Sequence, residues 1–214
     1  MNTRTLFIIA AAAAVLMTSC RKEPVRVACV GDSITFGHGI ANRERDTYPC
    51  ILDSLMGPGY DVRNFGISGY TLMNSGDMPY TSTPVYQEAL DFMPDIVTIA
   101  LGTNDSKAQN WINSQDFKDD FRTLIASFRN LESHPQIWVC LPPPAMGNAW
   151  GINDSIISNG VIPYIREIAE SENVGLIDLN TPFQSKPQYF PDTIHPNEAG
   201  QSVIAETVMN AIMK

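Results

Sequence analysis

The chain has 214 residues, and its 14 basic and 23 acidic side chains give it a net charge of −9 at neutral pH. Apolar residues make up 44% of the composition, so a chain of this length can form one domain with a full hydrophobic core. The excess of acidic residues argues against binding to nucleic acid or to an anionic bilayer surface, because both would repel the protein.

The first nineteen residues have the pattern of an export signal. Arg4 precedes the apolar run Leu6 to Met17, and two small residues then stand directly before Cys20. The run is too short to cross a membrane as a permanent helix. The segment resembles a bacterial lipoprotein signal in which "LMTSC" is the lipobox and Cys20 is the acylated first residue of the mature protein. An ordinary signal peptide and an uncleaved anchor are the alternatives.

This resemblance implies three parts: a signal peptide (residues 1–19), a tether (20–25) and one domain (26–214). Cleavage would remove one base, Arg4, and no acid, so that 13 basic and 23 acidic residues remain and the net charge becomes −10. It also implies an exported lipoprotein in the periplasm or outer membrane of a Gram-negative bacterium. Contact with the membrane would then be made only through the lipid anchor.

Strand-like and helix-like segments alternate after the tether, which is the pattern of a parallel sheet covered on both faces. The runs "IVTIAL" and "IWVCL" are continuously apolar, as expected of strands buried on both sides. Cys29, in the run over residues 26–30, and Cys140, in "IWVCL", lie inside strand-like apolar runs, and we expect both to be buried thiols. The predicted strands are residues 26–30, 61–64, 95–101, 136–141 and 174–178. Helices are predicted after Thr83, after Ser114, over about 156–172 with Pro163 bending or starting it, and after Pro196.

A polar motif follows each predicted strand. In chain order the motifs are "GDSITFG", "NFGISGYT", "GTNDS", "PPPAMGNAWGIND" and "FPDTIHPNEAG". The carboxyl ends of parallel strands lie at one edge of a sheet, so these five loops can build one site.

Ser33, in the first of these motifs, is a candidate nucleophile. A serine hydroxyl is barely acidic, so it needs a base and a third group that holds the base in the right tautomer. Among the three histidines, His195 has an acidic neighbour, Asp192, three residues earlier in "DTIH". His38 and His134 have no acidic residue in an obvious orienting place. Taken alone, the pair in "DTIH" also fits a turn cap beside a surface histidine.

Attack on an ester carbonyl also requires hydrogen-bond donors for the oxyanion that forms. The candidates are the backbone N–H of Ser33, the backbone at Gly69 in "GISGY" and the side-chain amide of Asn104 in "LGTND". Gly69 could instead be a turn glycine, and Asn104 could instead stabilise a turn after Gly102.

Together these motifs resemble the signature blocks of the SGNH hydrolases, also called the GDSL esterase family. "GDSITFG", "NFGISGYT", "LGTND" and "DTIHP" stand in the order and at about the separations of the four family blocks. The resemblance implies a flavodoxin-like three-layer α/β/α sandwich with a five-stranded parallel sheet in the order 2-1-3-4-5. It also implies Ser33 as nucleophile, His195 as base and Asp192 as its orienter. Gly69 and Asn104 match the oxyanion donors, together with the Ser33 amide.

Other classes of protein fit the sequence less well. A phosphate-binding loop of the form G-x-x-x-x-G-K-[ST] does not occur in the sequence. Two of the three histidines lack the neighbours that a metal site needs, so we expect neither a metal nor a cofactor. A carbohydrate-binding lipoprotein that has lost catalysis is a further alternative, and the five matching catalytic positions argue against it.

The loops after the third and fourth strands predict the substrate. Trp111, Trp150 and Asn153 are candidate substrate-binding residues, because indole rings stack on sugar faces and amides bind sugar hydroxyls. The alternative is that both tryptophans close loops over the core. "LGTNDSKAQNW" and "LPPPAMGNAWGINDSII" resemble stretches of bacterial carbohydrate O-acetylesterases, notably sialate O-acetylesterase-like proteins. We therefore expect an esterase that removes small acyl groups, above all acetyl, from a small-molecule or oligosaccharide substrate, with a lysophospholipase or GDSL-type lipase as the alternative.

Overall fold

The computed structural model describes residues 23–214. The predicted signal peptide (1–19), Cys20 and the start of the tether lie outside the described residues, so export and acylation stay predictions. Among residues 23–214, no helix is both long enough and apolar enough to cross a membrane.

Within the described part of the chain, five parallel strands form one sheet in the order β2-β1-β3-β4-β5. They are β1 (Val25–Gly31), β2 (Tyr60–Gly66), β3 (Ile96–Ala100), β4 (Gln136–Leu141) and β5 (Gly175–Asp178). This order confirms the predicted fold class, and the predicted strand limits lie within two residues of the observed ones, with those of β4 identical. β1 is an inner strand that pairs on both sides, with Cys29 opposite Asn64 of β2 and Thr98 of β3.

Helices cover both faces of the sheet. They are α1 (Ser33–Phe36), α2 (Arg43–Asp46), α3 (Tyr48–Met56), α4 (Pro84–Asp91), α5 (Ser114–Arg129), α6 (Asp154–Ile156), α7 (Ile162–Ser171) and α8 (Glu198–Ile212). One core cluster packs α4, α5 and α7 on Ala28 and Val30 of β1. The other packs α3 and α8 on Val27 and Cys29. Alternate residues of β1 therefore face opposite cores, which is why the strand is apolar from Val27 to Val30.

The helix predicted at about 156–172 is divided in the structure. A single π-helical turn, Ile157–Val161, separates α6 from α7, and Pro163 lies in the first turn of α7. Proline has no N–H to donate, so it is accommodated at a helix start more easily than inside a helix. α8 begins after Pro196, and the Asn197 side chain caps it by accepting from the Gly200 N–H at 3.0 Å.

Candidate active site

Ser33 is presented by an abrupt change from strand to helix. β1 ends at Gly31, and α1 begins two residues later at Ser33. A Cβ at Gly31 would overlap the side chain of Thr35, so the turn requires glycine. Asp32 Oδ1 accepts the Ile34 N–H at 2.9 Å and caps the helix. The backbone N–H of Ser33 therefore lies at a helix amino end, where N–H groups have no partner within the helix.

Ser33, His195 and Asp192 form a continuous hydrogen-bonded chain. His195 Nε2 lies 2.9 Å from Ser33 Oγ, and His195 Nδ1 lies 2.7 Å from Asp192 Oδ2. The other carboxylate oxygen, Asp192 Oδ1, accepts the backbone N–H groups of Ile194 and His195 at 2.9 and 2.7 Å. The carboxylate favours the tautomer with the proton on Nδ1, which leaves Nε2 able to accept the hydroxyl proton of Ser33.

The electrostatics of this pair suit a general base. Burial lowers the pKa of His195 below its ordinary value of 6.5, and this effect outweighs the attraction of Asp192. Burial acts to raise the pKa of Asp192, but hydrogen bonds from His195 and from the Ile194 N–H outweigh it and hold that pKa below its ordinary value. At neutral pH the site therefore holds a neutral imidazole beside an ionised carboxylate.

Gly69 and Asn104 lie on the same cavity wall as Ser33. Gly69 has a φ of 92°, a left-handed conformation that favours glycine, and a Cβ there would meet Met78 Sδ at a comfortable 3.7 Å. The left-handed backbone conformation, and not a lack of room for a side chain, thus explains why glycine stands at this position. Asn104 is 5% exposed, and its amide nitrogen donates to the Tyr70 carbonyl at 3.0 Å. The amide has two N–H groups, so one remains for a ligand in the cavity.

The cavity beside Ser33 has a volume of about 200 Å³. Pockets for drug-sized ligands are larger, roughly 300 to 1,000 Å³. The wall combines groups from all five loops: Ser33, His38, Ser68, Gly69, Thr103, Asn104, Lys107, Trp150, Ile152, Ile194 and His195. The space next to the Ser33 hydroxyl therefore suits a small substituent.

Trp150 and His38 cover the exposed side of His195. Their ring centroids lie 5.1 and 4.2 Å from that of His195, and Trp150 is 58% exposed. His38 stands between Gly37 and Gly39, both in left-handed conformations, which turn the loop back over the site. Sequence reasoning missed His38 because it has no acidic neighbour; the Gly-His-Gly pattern was the available signal.

Two of the predicted substrate-binding residues lie elsewhere. Trp111 packs against Phe117 and Tyr164, with ring centroids 5.5 and 5.7 Å away, as part of the core. Asn153 caps α6, where its Oδ1 accepts the Ile156 N–H at 3.2 Å. Trp111 therefore takes the alternative role, that of closing a loop over the core, and Asn153 is the residue that caps a helix. Trp150 is the predicted substrate residue that does reach the cavity.

Charged side chains that the sequence did not single out lie in or near the cavity wall. Burial raises the pKa of Asp32 to about 6 and that of Asp105 to about 7. Lys107 lines the cavity, is 9% exposed and places Nζ 3.3 Å from Asp77 Oδ2. No periodicity distinguishes such residues, since their burial results from how the loops meet.

Among residues 23–214, side-chain ligand atoms come close enough to hold a metal ion at His38, Asp192 and His195, where they lie within 4.8 Å of one another. Both ring nitrogens of His195 already contact Ser33 and Asp192. A metal ion bound to that imidazole would have to break one of these hydrogen bonds.

Comparison with known proteins agrees with this geometry. The profile of the GDSL-like lipase/acylhydrolase family matches residues 29–203. An acetylxylan esterase from Xylanibacter ruminicola is 37% identical over 210 residues, which cover 90% of this chain and 44% of that protein. The chain thus spans less than half the length of this relative.

Solved structures share the fold. A carbohydrate acetylesterase family member from Sinorhizobium meliloti superposes with a TM-score of 0.71 at 20% identity, over 88% of this chain and 97% of that one. An aryl esterase from M. smegmatis gives a TM-score of 0.69 at 19% identity, over 87% of this chain and 99% of that one. The sheet order, the matched profile and the sequence relative agree, and the chain belongs to the GDSL-like lipase/acylhydrolase family.

Proposed function

We propose that this protein is a serine esterase that removes small acyl groups, above all acetyl, from a carbohydrate. The observation that carries the proposal is the Ser33–His195–Asp192 hydrogen-bonded chain opening on a cavity of only about 200 Å³. The similarity to an acetylxylan esterase supports acetylated xylan as a substrate. The loop resemblance to sialate O-acetylesterase-like proteins makes O-acetylated sialate a second sugar to assay.

The geometry supports the following sequence of steps. Ser33 Oγ attacks the ester carbonyl carbon while His195 Nε2 takes the hydroxyl proton, and Asp192 stabilises the imidazolium that results. The N–H groups of Ser33 and Gly69 and the amide of Asn104 donate hydrogen bonds that stabilise the negative charge on the carbonyl oxygen. His195 then donates its proton to the sugar oxygen, which leaves acetyl bound to Ser33. Water, activated by the same imidazole, releases acetate and restores the hydroxyl.

The leaving sugar belongs on the side of the cavity that Trp150 covers. His195 must protonate the leaving oxygen, so that oxygen has to lie next to its ring, and Trp150 places an exposed indole beside it. An indole face binds the apolar face of a pyranose ring while the sugar hydroxyls stay in water.

Acyl-chain preference tests the size of the acyl site. We expect kcat/KM for p-nitrophenyl esters to stop rising between two and four acyl carbons, because the cavity next to Ser33 is small. In a long apolar groove each added methylene would contribute about 0.8 kcal/mol, roughly fourfold in kcat/KM. The measurement is a series from acetate to octanoate at fixed pH. A steady rise to octanoate would favour the lipase or lysophospholipase alternative.

Substitution of Trp150 tests the sugar site. We expect Trp150→Ala to lower kcat/KM on acetylated xylan by about three- to tenfold, the range of one aromatic contact. Activity on ethyl acetate, whose leaving group has no ring to stack, should change less than twofold. Trp150→Phe is the matched control, since it keeps an aromatic face and should retain most of the activity on xylan. Equal losses on both substrates would contradict a sugar contact at this residue.

A further inference from the structure

The loop that carries Gly69 is held in place largely by the loop that follows β3. From the end of β2 to Tyr80, the β pairing within this loop consists of an isolated bridge between Thr71 and Pro79. The remaining backbone polar groups of such a segment need partners from elsewhere in the fold. Before Gly69, the Ile67 N–H donates to the Gly31 carbonyl at 3.1 Å, and after it the partners of positions 70, 72 and 73 come from Asn104 and Asp105.

Asp105 makes the most buried of these contacts. Its Oδ2 accepts the Leu72 N–H at 2.9 Å, and its Oδ1 accepts the Met73 N–H at 2.8 Å. The side chains of all three residues are almost completely buried, with exposures of 0%, 1% and 0% in the order Asp105, Leu72 and Met73. Water is therefore a poor substitute partner for either N–H group.

The neighbouring residue holds the same loop. Asn104 Nδ2 donates to the carbonyl of Tyr70, which directly follows Gly69. Two consecutive residues, 104 and 105, thus bind the backbone at positions 70, 72 and 73. Because Asn104 is itself a proposed oxyanion donor, the same short segment fixes one donor and also the loop that carries a second one, Gly69.

We propose, on the basis of the proposed function, that Asp105 is a positioning residue which sets the distance between two of the three oxyanion donors, Gly69 and Asn104. It touches no substrate in this role. It acts through the backbone at Leu72 and Met73, and its effect should appear in the stabilisation of the tetrahedral intermediate rather than in the binding of the ester.

The contacts further along the loop are less suited to this task. Asn74 bonds Asp120 at exposed positions, and Asp77 bonds Asn110 and Lys107 at partly buried ones. These contacts hold the far half of the loop, whereas Asp105 holds the buried half next to Gly69.

The variant Asp105→Asn tests the position of the loop separately from the packing of the side chain at residue 105. Asparagine has nearly the same shape but only one acceptor oxygen, so its NH₂ group would face the N–H of Leu72 or Met73. One hydrogen bond is lost and two donors are opposed, which should displace the loop without opening a cavity. Loss of a whole oxyanion donor costs about 10²–10³ in kcat, so a displaced donor should cost roughly tenfold or more.

The experiment compares the parent enzyme, Asp105→Asn and Asp178→Asn on ethyl acetate. Asp178 is the matched control: it is the last residue of β5, and its Oδ1 accepts the N–H groups of Asn180 and Thr181, both at 2.9 Å. A second readout is the inhibition constant of a small alkylboronic acid, which adds to a serine hydroxyl and mimics the tetrahedral intermediate. Thermal unfolding of each variant shows whether it is folded.

We expect Asp105→Asn to lower kcat about tenfold or more, to weaken boronate inhibition by a similar factor and to change KM less than about threefold. Asp178→Asn should stay within about threefold of the parent in all three quantities. If folded Asp105→Asn keeps the parent kcat and boronate affinity, the inference is overturned. If Asp105→Asn does not fold, Asp105→Glu decides by the same readouts, since it keeps both acceptor oxygens but moves them.

The Ser33→Ala variant distinguishes failure of this inference from failure of the proposed function. If Ser33→Ala is inactive and Asp105→Asn is normal, only the positioning role fails. If Ser33→Ala remains active, the serine mechanism itself is wrong, and the positioning role fails with it.

Discussion

Ser33→Ala should abolish ester hydrolysis while the protein stays folded. Removal of the nucleophile from a Ser-His-Asp triad lowers kcat by about 10⁶, because no other group can form the acyl intermediate. The Ser33 hydroxyl lies 2.9 Å from His195 Nε2 and lines the cavity, so its loss leaves no gap in either hydrophobic core. The backbone N–H of residue 33 remains, which should leave ester binding nearly unchanged.

The measurement is kcat on p-nitrophenyl acetate and ethyl acetate, with thermal unfolding as the check on folding. Ser202→Ala is the matched control, because Ser202 lies on α8 and its hydroxyl bonds the Glu198 carbonyl at 3.1 Å. That variant should keep the parent activity. A rate above a tenth of the parent for Ser33→Ala would end the serine-esterase proposal.

His195→Ala and Asp192→Asn should both reduce activity strongly, and by different amounts. Loss of the base in a comparable triad costs about 10⁶ in kcat, whereas loss of the orienting aspartate costs about 10⁴. In Asp192→Asn the remaining oxygen can still accept the backbone N–H groups of Ile194 and His195, so the turn should persist. The new NH₂ group would face His195 Nδ1 and favour the wrong tautomer, so the imidazole would accept the Ser33 proton only rarely.

The same kinetic assay on both variants tests this difference. His134→Asn is the matched control histidine, since His134 is exposed at a φ of 45°, a conformation that asparagine tolerates. It should behave as the parent. Equal losses for His195→Ala and Asp192→Asn would leave the orienting role without support, and an active His195→Ala would remove the proposed base.

Local sequence patterns were sufficient to predict the contacts of the site whose two residues lie close together in the sequence. The pairing of Asp192 with His195 follows from a spacing of three residues, which one turn can close. The ends of the strands were predictable to within one or two residues, because apolar runs stop where polar turn residues begin. The order 2-1-3-4-5 was available only through the family resemblance, since periodicity identifies strands without saying which ones pair.

Which side chains meet across the chain depends on the tertiary structure, and the meeting of Ser33 with His195 was expected from the sequence only through the family resemblance. His195 reaches Ser33 over 162 residues of sequence, and this contact depends on β1 and β5 ending at the same edge of the sheet. Asp105 is buried only because two loops close on it.

Trp111 and Trp150 show the physical reason why the sequence alone did not determine which residues form the site. Trp111 and Trp150 stand in similar polar loops, and each could be a sugar platform or a core residue by sequence. Trp111 is partly buried and packs against Phe117 and Tyr164 at the edge of the core, whereas Trp150, with a φ of 53°, is 58% exposed and lies beside His195. The sequence by itself determined the elements, the local turns and the residue types for ester chemistry. The packing of distant elements, on which burial and long-range contact depend, determined which of those residues form the site.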